Sequence, residues 1–184
     1  MSFNKKHYLP IAALAGATVI AVASLMAYKA RSERQQVDFI TQFYSSYLGE
    51  TRRAPPPPGT FYSTELEDLL ATNHELCGKL ARNDEICGYD ADGDVLLNLG
   101  KAGFKAAYAG NGNVDVSFNA VLGQGDNYRR KIRFVLTLED AGWRVDDMLF
   151  GANTLRGDVQ HENETLLART RTSSGTTTRA ASPP

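Results

Sequence analysis

A largely apolar run without charge extends from Tyr8 to Tyr28, directly after the basic cluster Lys5-Lys6-His7. At about 1.5 Å of rise per residue, a helix of this length just covers a bilayer core of roughly 30 Å. The pattern therefore predicts a short cytoplasmic tail at residues 1–7 and a transmembrane anchor at residues 8–28.

A cleaved secretory signal is the alternative interpretation, with Ala21-Val22-Ala23 as a small-x-small cleavage site. The apolar character continues through Leu25 and Met26 to Tyr28, which favours an uncleaved anchor. Basic residues flank the run on both sides, so the positive-inside rule is nearly balanced. The short tail favours export, and we expect a single-pass protein of the bacterial inner membrane with its main domain in the periplasm.

Helical spacing continues beyond the anchor. Residues 32–48 repeat apolar side chains every three to four positions and predict an amphipathic helix that continues from the membrane run. The segment Thr51–Gly59, with four consecutive prolines, ends this helix. It is interpreted as a stiff polyproline connector, with a Pro-rich ligand for a partner domain as the alternative.

A second helix is predicted to begin at Ser63 or Thr64, either of which can cap it. Acidic residues follow in its first turn, and leucines give it an apolar side. The stretch from Cys77 to Gly100 is rich in Gly, Asp and Asn and predicts a long loop with a short helical turn.

The period then changes from helical to alternating. Four short strands are predicted, separated by the turn signals Gly110–Asn113, Gly123–Asn127 and Asp140–Gly142. Short connections between consecutive strands are typical of an antiparallel meander with one packed face. Helices followed by strands predict an α+β domain over residues 31–150, with the helices packed on a curved sheet of about four strands.

The last part of the chain loses this periodicity. Glu162–Arg171 suits only one or two turns of helix, and the polar stretch from Thr172 onwards predicts disorder. Residues 151–184 are therefore predicted to be a largely disordered C-terminal tail.

The charge balance and the two cysteines limit the classes of function that are expected. The 20 basic and 21 acidic side chains are interspersed and give a net charge of −1, which does not favour a nucleic-acid partner. Cys77 and Cys87 lie in the exported part, where an oxidising compartment favours a disulfide between them over two free thiols. His74 alone does not complete a metal site with them.

Several motifs together resemble a known superfold. They are aromatic residues at the end of the first helix, the pattern Tyr62-Ser63-x-x-Leu66-x-x-Leu69-Leu70, and Gly142-Trp143-Arg144-Val145-Asp146-Asp147 on the final strand. The chain from Val37 to Phe150 resembles the nuclear-transport-factor-two-like cone, and is most similar to an uncharacterised bacterial family of exported or membrane-anchored domains.

The resemblance implies a cone-shaped fold and a binding function, as in immunity proteins against secreted toxins or assembly subunits of secretion machines. Members of the family commonly carry an Asp-x-Asp-Pro-Phe loop, whereas this chain has Asp90-Ala91-Asp92-Gly93-Asp94. Because the Pro-Phe pair is missing, the resemblance does not establish that this chain has the surface that the loop provides in the family.

Asp90, Asp92 and Asp94 are candidate metal ligands because alternating carboxylates can converge on a hard cation. The match to a calcium loop is poor, since Val95 stands where an EF-hand has glycine and Lys101 where it has glutamate. A solvated acidic loop is the favoured interpretation.

Asp147 is the candidate catalytic residue. Strict alternation along the last strand places Asp147 on the same face as Trp143 and Val145, inside the cone, where burial would favour a general base. The alternative is a carboxylate at the strand end paired with a basic residue. No nucleophile elbow, phosphate loop or metal-hydrolase pattern occurs, so neither enzymatic activity nor a cofactor is expected.

Arg129, Lys131 and Arg133, together with Arg130, form the densest patch of one sign. A solvated sheet face is one interpretation, and a surface for an acidic protein partner or for anionic headgroups is the other. The sequence thus favours a membrane-anchored domain that acts through an unidentified protein partner. A ligand carrier or enzyme that uses Asp147 is the alternative function.

Overall fold

The structure is a computed structural model that describes residues 8–47, 57, 59–80, 87–89, 103–121 and 127–174. The side chains of residues 8–23, 46–47, 121, 127 and 170–174 are outside this description. Within the described residues, three helices and five strands form an α+β domain, as the sequence predicts.

Helix α1 runs without a break from Tyr8 to Tyr47. The predicted continuation of the N-terminal run into the amphipathic helix is therefore confirmed. Among the described residues, no helix is long and apolar enough to span a membrane. The predicted anchor falls mostly on residues 8–23, whose side chains lie outside the described ones.

The five strands form one antiparallel sheet in sequential order. They are β1 (Lys105–Gly110), β2 (Asn113–Val121), β3 (Asn127–Glu139), β4 (Gly142–Phe150) and β5 (Asn153–Thr154). The meander predicted from the alternating pattern is confirmed, with β5 as an additional short strand. Asn111 and the glycines on either side of it adopt positive φ in the β1–β2 turn, a conformation that the Gly-Asn-Gly sequence tolerates.

The sheet has a packed inner face and a polar outer face. On β3, Ile132, Phe134 and Leu136 point inward and are buried, whereas Arg129, Lys131 and Arg133 at the alternate positions are exposed. All three helices contribute buried side chains to the cluster on the inner face, among them Ile40, Tyr44, Leu66, Leu155 and Val159. The helices therefore cover one face of the sheet.

Helix α2 (Thr64–Leu80) begins where the sequence predicts. The hydroxyl of Ser63 accepts a hydrogen bond from the backbone N–H of Leu66 at 3.2 Å, so Ser63 is the N-cap. The backbone around Ser63 also pairs with Val145 on β4, which ties the start of the helix to the sheet.

Helix α3 (Leu155–Ser174) replaces most of the tail that the sequence predicts to be disordered. Leu155, Val159, Asn163 and Leu166 lie at i, i+4, i+8 and i+11 and are all buried, which makes one helical stripe. Two features weaken the helical signal of this stripe in the sequence. Asn163, one of its members, is polar, and Gly157 lies in the first turn. The domain accordingly extends past residue 150 into this helix, and residues 175–184 lie outside the described ones.

Candidate functional site

The outer face of β1, β2 and β3 carries a concentration of positive charge. We define the basic face as Lys105, Arg129, Lys131 and Arg133 together with the polar residues Asp115 and Ser117 between them. Of these residues, the sequence predicts the three on β3 as a partner surface. The structure places them on one exposed face. Arg130 points the other way, where its guanidinium carbon lies 5.8 Å from the ring centre of Phe150.

Because of the strand register, Ser117 lies between two lysines of the basic face. In the β1–β2 pair Ser117 is opposite Lys105, and in the β2–β3 pair it is opposite Lys131. The guanidinium of Arg129 reaches diagonally across the strands and donates a hydrogen bond to the Ser117 hydroxyl at 2.7 Å. Ser117 therefore has a hydrogen bond to Arg129 and a lysine at the paired position on each flanking strand.

Arg133 is paired differently. Its Nε and Nη2 donate hydrogen bonds to the two oxygens of Asp115 at 2.6 and 2.9 Å, in a bidentate geometry. The hydrogen bond from Arg133 lowers the pKa of the Asp115 carboxyl below its ordinary value, and slight burial opposes this shift. The carboxylate thus remains ionised and neutralises Arg133.

The basic face is concave. A cavity of about 630 Å³ lies over it, and the cations share its wall with the small or apolar residues Ala107, Leu149 and Gly151. Cavities of roughly 300–1,000 Å³ are the size that is typical of small-molecule and cofactor sites. This cavity offers cationic side chains, a hydroxyl group and apolar surface in one place.

Asp147 does not lie where the alternating pattern predicts. The register of β3 with β4 shifts between Val135 and Leu136, so that Val135 pairs with Asp147 and Leu136 with Val145. This β-bulge at Asp146 reverses the alternation, and Asp147 leaves the face on which Val145 lies buried. The prediction that Asp147 shares the face of Trp143 and Val145 is therefore wrong.

The Asp147 carboxylate accepts hydrogen bonds from the backbone. Its Oδ1 accepts hydrogen bonds from the backbone N–H groups of Met148 at 2.8 Å and Arg156 at 2.9 Å. The second of these groups belongs to the first turn of α3, whose N–H groups have no partner within the helix. Asp147 thus stabilises the start of a helix.

The disulfide between Cys77 and Cys87 is present, which confirms the prediction from the sequence. It joins the end of α2 to residues 87–89, and two further contacts hold that segment. The buried Asn73 accepts a hydrogen bond from the backbone N–H of Tyr89 at 3.1 Å, and His74 contacts the Tyr89 carbonyl at 3.0 Å.

Glu162 of α3 lies beside this disulfide. Its Oε2 accepts a hydrogen bond from Asn73 at 2.7 Å and lies 3.9 Å from the sulfur of Cys77. The two sulfurs and the carboxylate come within 4.8 Å of one another. Because both sulfurs are in the disulfide, they lack the thiolate charge that binds a metal, and the group as it stands holds the helices together.

The predicted metal candidates Asp90, Asp92 and Asp94 lie outside the described residues. In the described part of the interior, the polar groups near the core include the phenol of Tyr44. Its ring packs between Phe104 and Phe118, with centroids 5.2 and 5.9 Å away. Burial raises the pKa of Tyr44 well above its usual range, so this phenol stays protonated.

Sequence reasoning missed Lys105 and Ser117 as members of the basic face. Both lie on strands other than β3, and only the register of the sheet brings them beside Lys131. A usable signal was present, since Lys105 and Ser117 occupy outward positions of the two strands that precede β3 in the meander.

No protein-family model matches the chain, and no curated protein matches it either. A solved structure that is similar to it is a protein of unknown function from Bacteroides thetaiotaomicron. The two share 14% sequence identity with a TM-score of 0.46, over 70% of this chain and 98% of that chain. A similarity of this size assigns neither a fold family nor a function.

Proposed function

We propose that this protein is a non-catalytic, membrane-anchored domain that binds another protein through the basic face of its sheet. The observation that carries the proposal is the concave, cationic outer face of β1–β3, whose alternate residues are exposed while the helices pack on the inner face. Concave surfaces that combine charge with apolar area are typical of recognition sites.

The long helix α1 supports the anchor. Its uncharged run begins at Tyr8, and the last apolar side chains of that run remain uncovered: Leu25, Met26 and Tyr28 are 69%, 68% and 71% exposed. Apolar side chains left uncovered on one helix indicate a surface that is covered by something else. A bilayer is the proposed cover, with the domain on the periplasmic side of a bacterial inner membrane.

The disulfide supports the proposed compartment, since such bonds persist in oxidising environments and are rare in the cytosol. Three helices on one face of an antiparallel sheet also agree with the nuclear-transport-factor-two-like cone, and membership of that superfold remains part of the proposal. An assembly factor and a toxin-immunity protein are the two binding roles that the resemblance suggests.

No observation favours the alternative of an enzyme or ligand carrier that uses Asp147. Its carboxylate accepts two backbone hydrogen bonds at the start of α3, which is a structural task. A general base would instead need a reacting proton within hydrogen-bond reach.

Photo-crosslinking in intact cells tests the binding proposal. A photoreactive residue is placed at Ala107, in the cavity, and in a separate variant at Ala71, an exposed alanine on α2 that serves as the matched control. We expect one discrete adduct with a second protein from position 107 and none from position 71. The absence of any adduct from position 107, in a chain that folds and is retained in membranes, would contradict the proposal.

Protease treatment of spheroplasts tests the location separately. We expect degradation of the domain from the outside, followed by protection of a fragment that contains residues 8–28. Survival of the whole domain until the membrane is lysed would place it on the cytoplasmic side and overturn the proposed orientation.

A further inference from the structure

The positive charge of the basic face is unevenly compensated. Asp115 neutralises Arg133, but among the described residues Lys105, Arg129 and Lys131 form no ion pair. Arg129 donates a hydrogen bond to the Ser117 hydroxyl at 2.7 Å, and Lys105 and Lys131 occupy the positions opposite Ser117 on the two flanking strands. Among the described residues, the positive charge without an ion pair is thus concentrated on the strand positions around Ser117.

We infer that Lys105, Arg129, Lys131 and Ser117 form a carboxylate-binding site for an extended acidic segment of the protein partner. The inference rests on the proposed binding function and names the chemistry of the partner. Arg129 has five N–H donors, so its contact with Ser117 leaves donors for a carboxylate of the ligand. The serine hydroxyl can also rotate and donate to the same anion.

The geometry favours a chain in extended conformation. Side chains on one face of a strand repeat every two residues, at about 6.8 Å, and Arg129 and Lys131 of the site follow this spacing. An extended peptide that lies along β3 presents its alternate side chains with the same repeat. Acidic residues at every second position would therefore meet the cations together, whereas contiguous acidic residues would point alternately toward and away from them.

The shape of the surface favours a peptide over a membrane or a free anion. The cations lie in the wall of a cavity of about 630 Å³, and Ala107 and Leu149 add apolar area beside them. A planar layer of headgroups does not fill a cavity, and a small inorganic anion does not use its apolar part. A peptide main chain with short side chains uses both.

The binding test uses the full-length chain in neutral detergent micelles and a fluorescent octapeptide in which glutamate alternates with serine. Its isomer, with four contiguous glutamates, has the same composition and charge. We expect fluorescence anisotropy to show tighter binding of the alternating peptide, with weaker binding as salt is added. Equal binding of the two isomers, or no binding of either, would overturn the inference.

Charge-neutralising variants locate the site. We expect Lys105→Gln, Arg129→Gln and Lys131→Gln each to weaken binding roughly two- to fivefold, the effect of one exposed charge contact. The triple variant should lose binding, and Lys79→Gln, an equal charge change on the exposed side of α2, should leave it unchanged. Retained binding in the triple variant, with an unaltered thermal unfolding curve, would contradict the site.

Two competitors separate the possible sources of the anion. Inorganic phosphate at the concentration of the peptide, and micelles doped with phosphatidylserine, are both expected to leave peptide binding in place. Full displacement by phosphate would identify a site for small anions, and displacement by the lipid would identify a membrane contact, and either would overturn the inference. If the peptides fail while the crosslink at position 107 forms, the partner binds without this motif and the proposed function stands.

Discussion

Ser63 donates a hydrogen bond to the Asp146 carboxylate at 2.8 Å, although the two residues are 83 positions apart in the chain. The same carboxylate oxygen accepts a hydrogen bond from the guanidinium of Arg156 at 2.6 Å. These contacts join the N-terminus of α2, the β-bulge in β4 and the first turn of α3. The bulge that moves Asp147 out of the interior is therefore held in place from two helices.

Replacing Ser63 tests this junction. Ser63→Ala removes both the N-cap of α2 and the hydrogen bond to Asp146, and we expect a loss of about 1–2 kcal/mol in the free energy of unfolding. Urea denaturation measures the loss. Ser45→Ala, on an exposed part of α1, is the matched control and should change stability little. Equal effects of the two substitutions would show that the junction does not stabilise the fold.

Substitutions at Asp147 separate capping from catalysis. Asp147→Ala leaves the backbone N–H groups of Met148 and Arg156 without their acceptor, and we expect a loss of about 1–2 kcal/mol. Asp147→Asn keeps an amide oxygen at the same place and should lose clearly less. If both variants are as stable as the unmodified chain, the carboxylate has no capping role.

Reduction of the disulfide should destabilise the domain. The bond between Cys77 and Cys87 closes a loop with a sequence separation of 10. In the chain-entropy model, opening a loop of this size costs about 2–3 kcal/mol. Urea unfolding with and without reductant measures the difference. The double variant Cys77→Ser, Cys87→Ser should have the same free energy of unfolding as the reduced chain, with or without reductant. If reductant also destabilises the double variant, its effect does not come from this disulfide.

The pair between Asp115 and Arg133 predicts a pH dependence. Because the hydrogen bond lowers the pKa of Asp115 in the folded state, its stabilisation is present above the unfolded value of about 3.9 and is lost as the pH falls through the lower folded value. Both side chains are nearly half exposed, at 46% for Arg133 and 47% for Asp115, so the contribution to stability is small.

An NMR titration of the Asp115 carboxyl carbon measures this shift directly. We expect the pKa of Asp115 below its ordinary value, and its return toward that value in Arg133→Gln. Arg129→Gln is the control on the same strand and should move the pKa much less. A pKa of Asp115 that does not change in Arg133→Gln would show that the pair does not form in solution.

Local patterns predicted the regular part of the fold. The meander follows from alternation within each strand and from turn sequences such as Gly110-Asn111-Gly112, all of which act over a few residues. The start of α2 at Ser63 and the disulfide between two cysteines close in sequence also depend on nearby residues. Predictions of this kind hold because the determining residues are neighbours in the chain.

Two predictions differed from the structure where distant contacts decide. The alternation along β4 fails at Asp146 because Ser63 and Arg156 hold its carboxylate from outside the strand. Helix α3 forms although its sequence is largely polar, because a narrow stripe of Leu155, Val159 and Leu166 is buried by the rest of the domain. Local helix propensity does not include the stability that a helix gains from tertiary packing.

The sequence by itself determined the α+β class, the order of the meander, the disulfide and the outward direction of Arg129, Lys131 and Arg133. Each of these follows from spacing along the chain. Only the tertiary structure decided that Asp147 caps a helix and that Lys105 and Ser117 join the basic face. The reason is that strand register and a β-bulge are set by pairing between strands and by contacts with the helices, which the alternation within one strand does not specify.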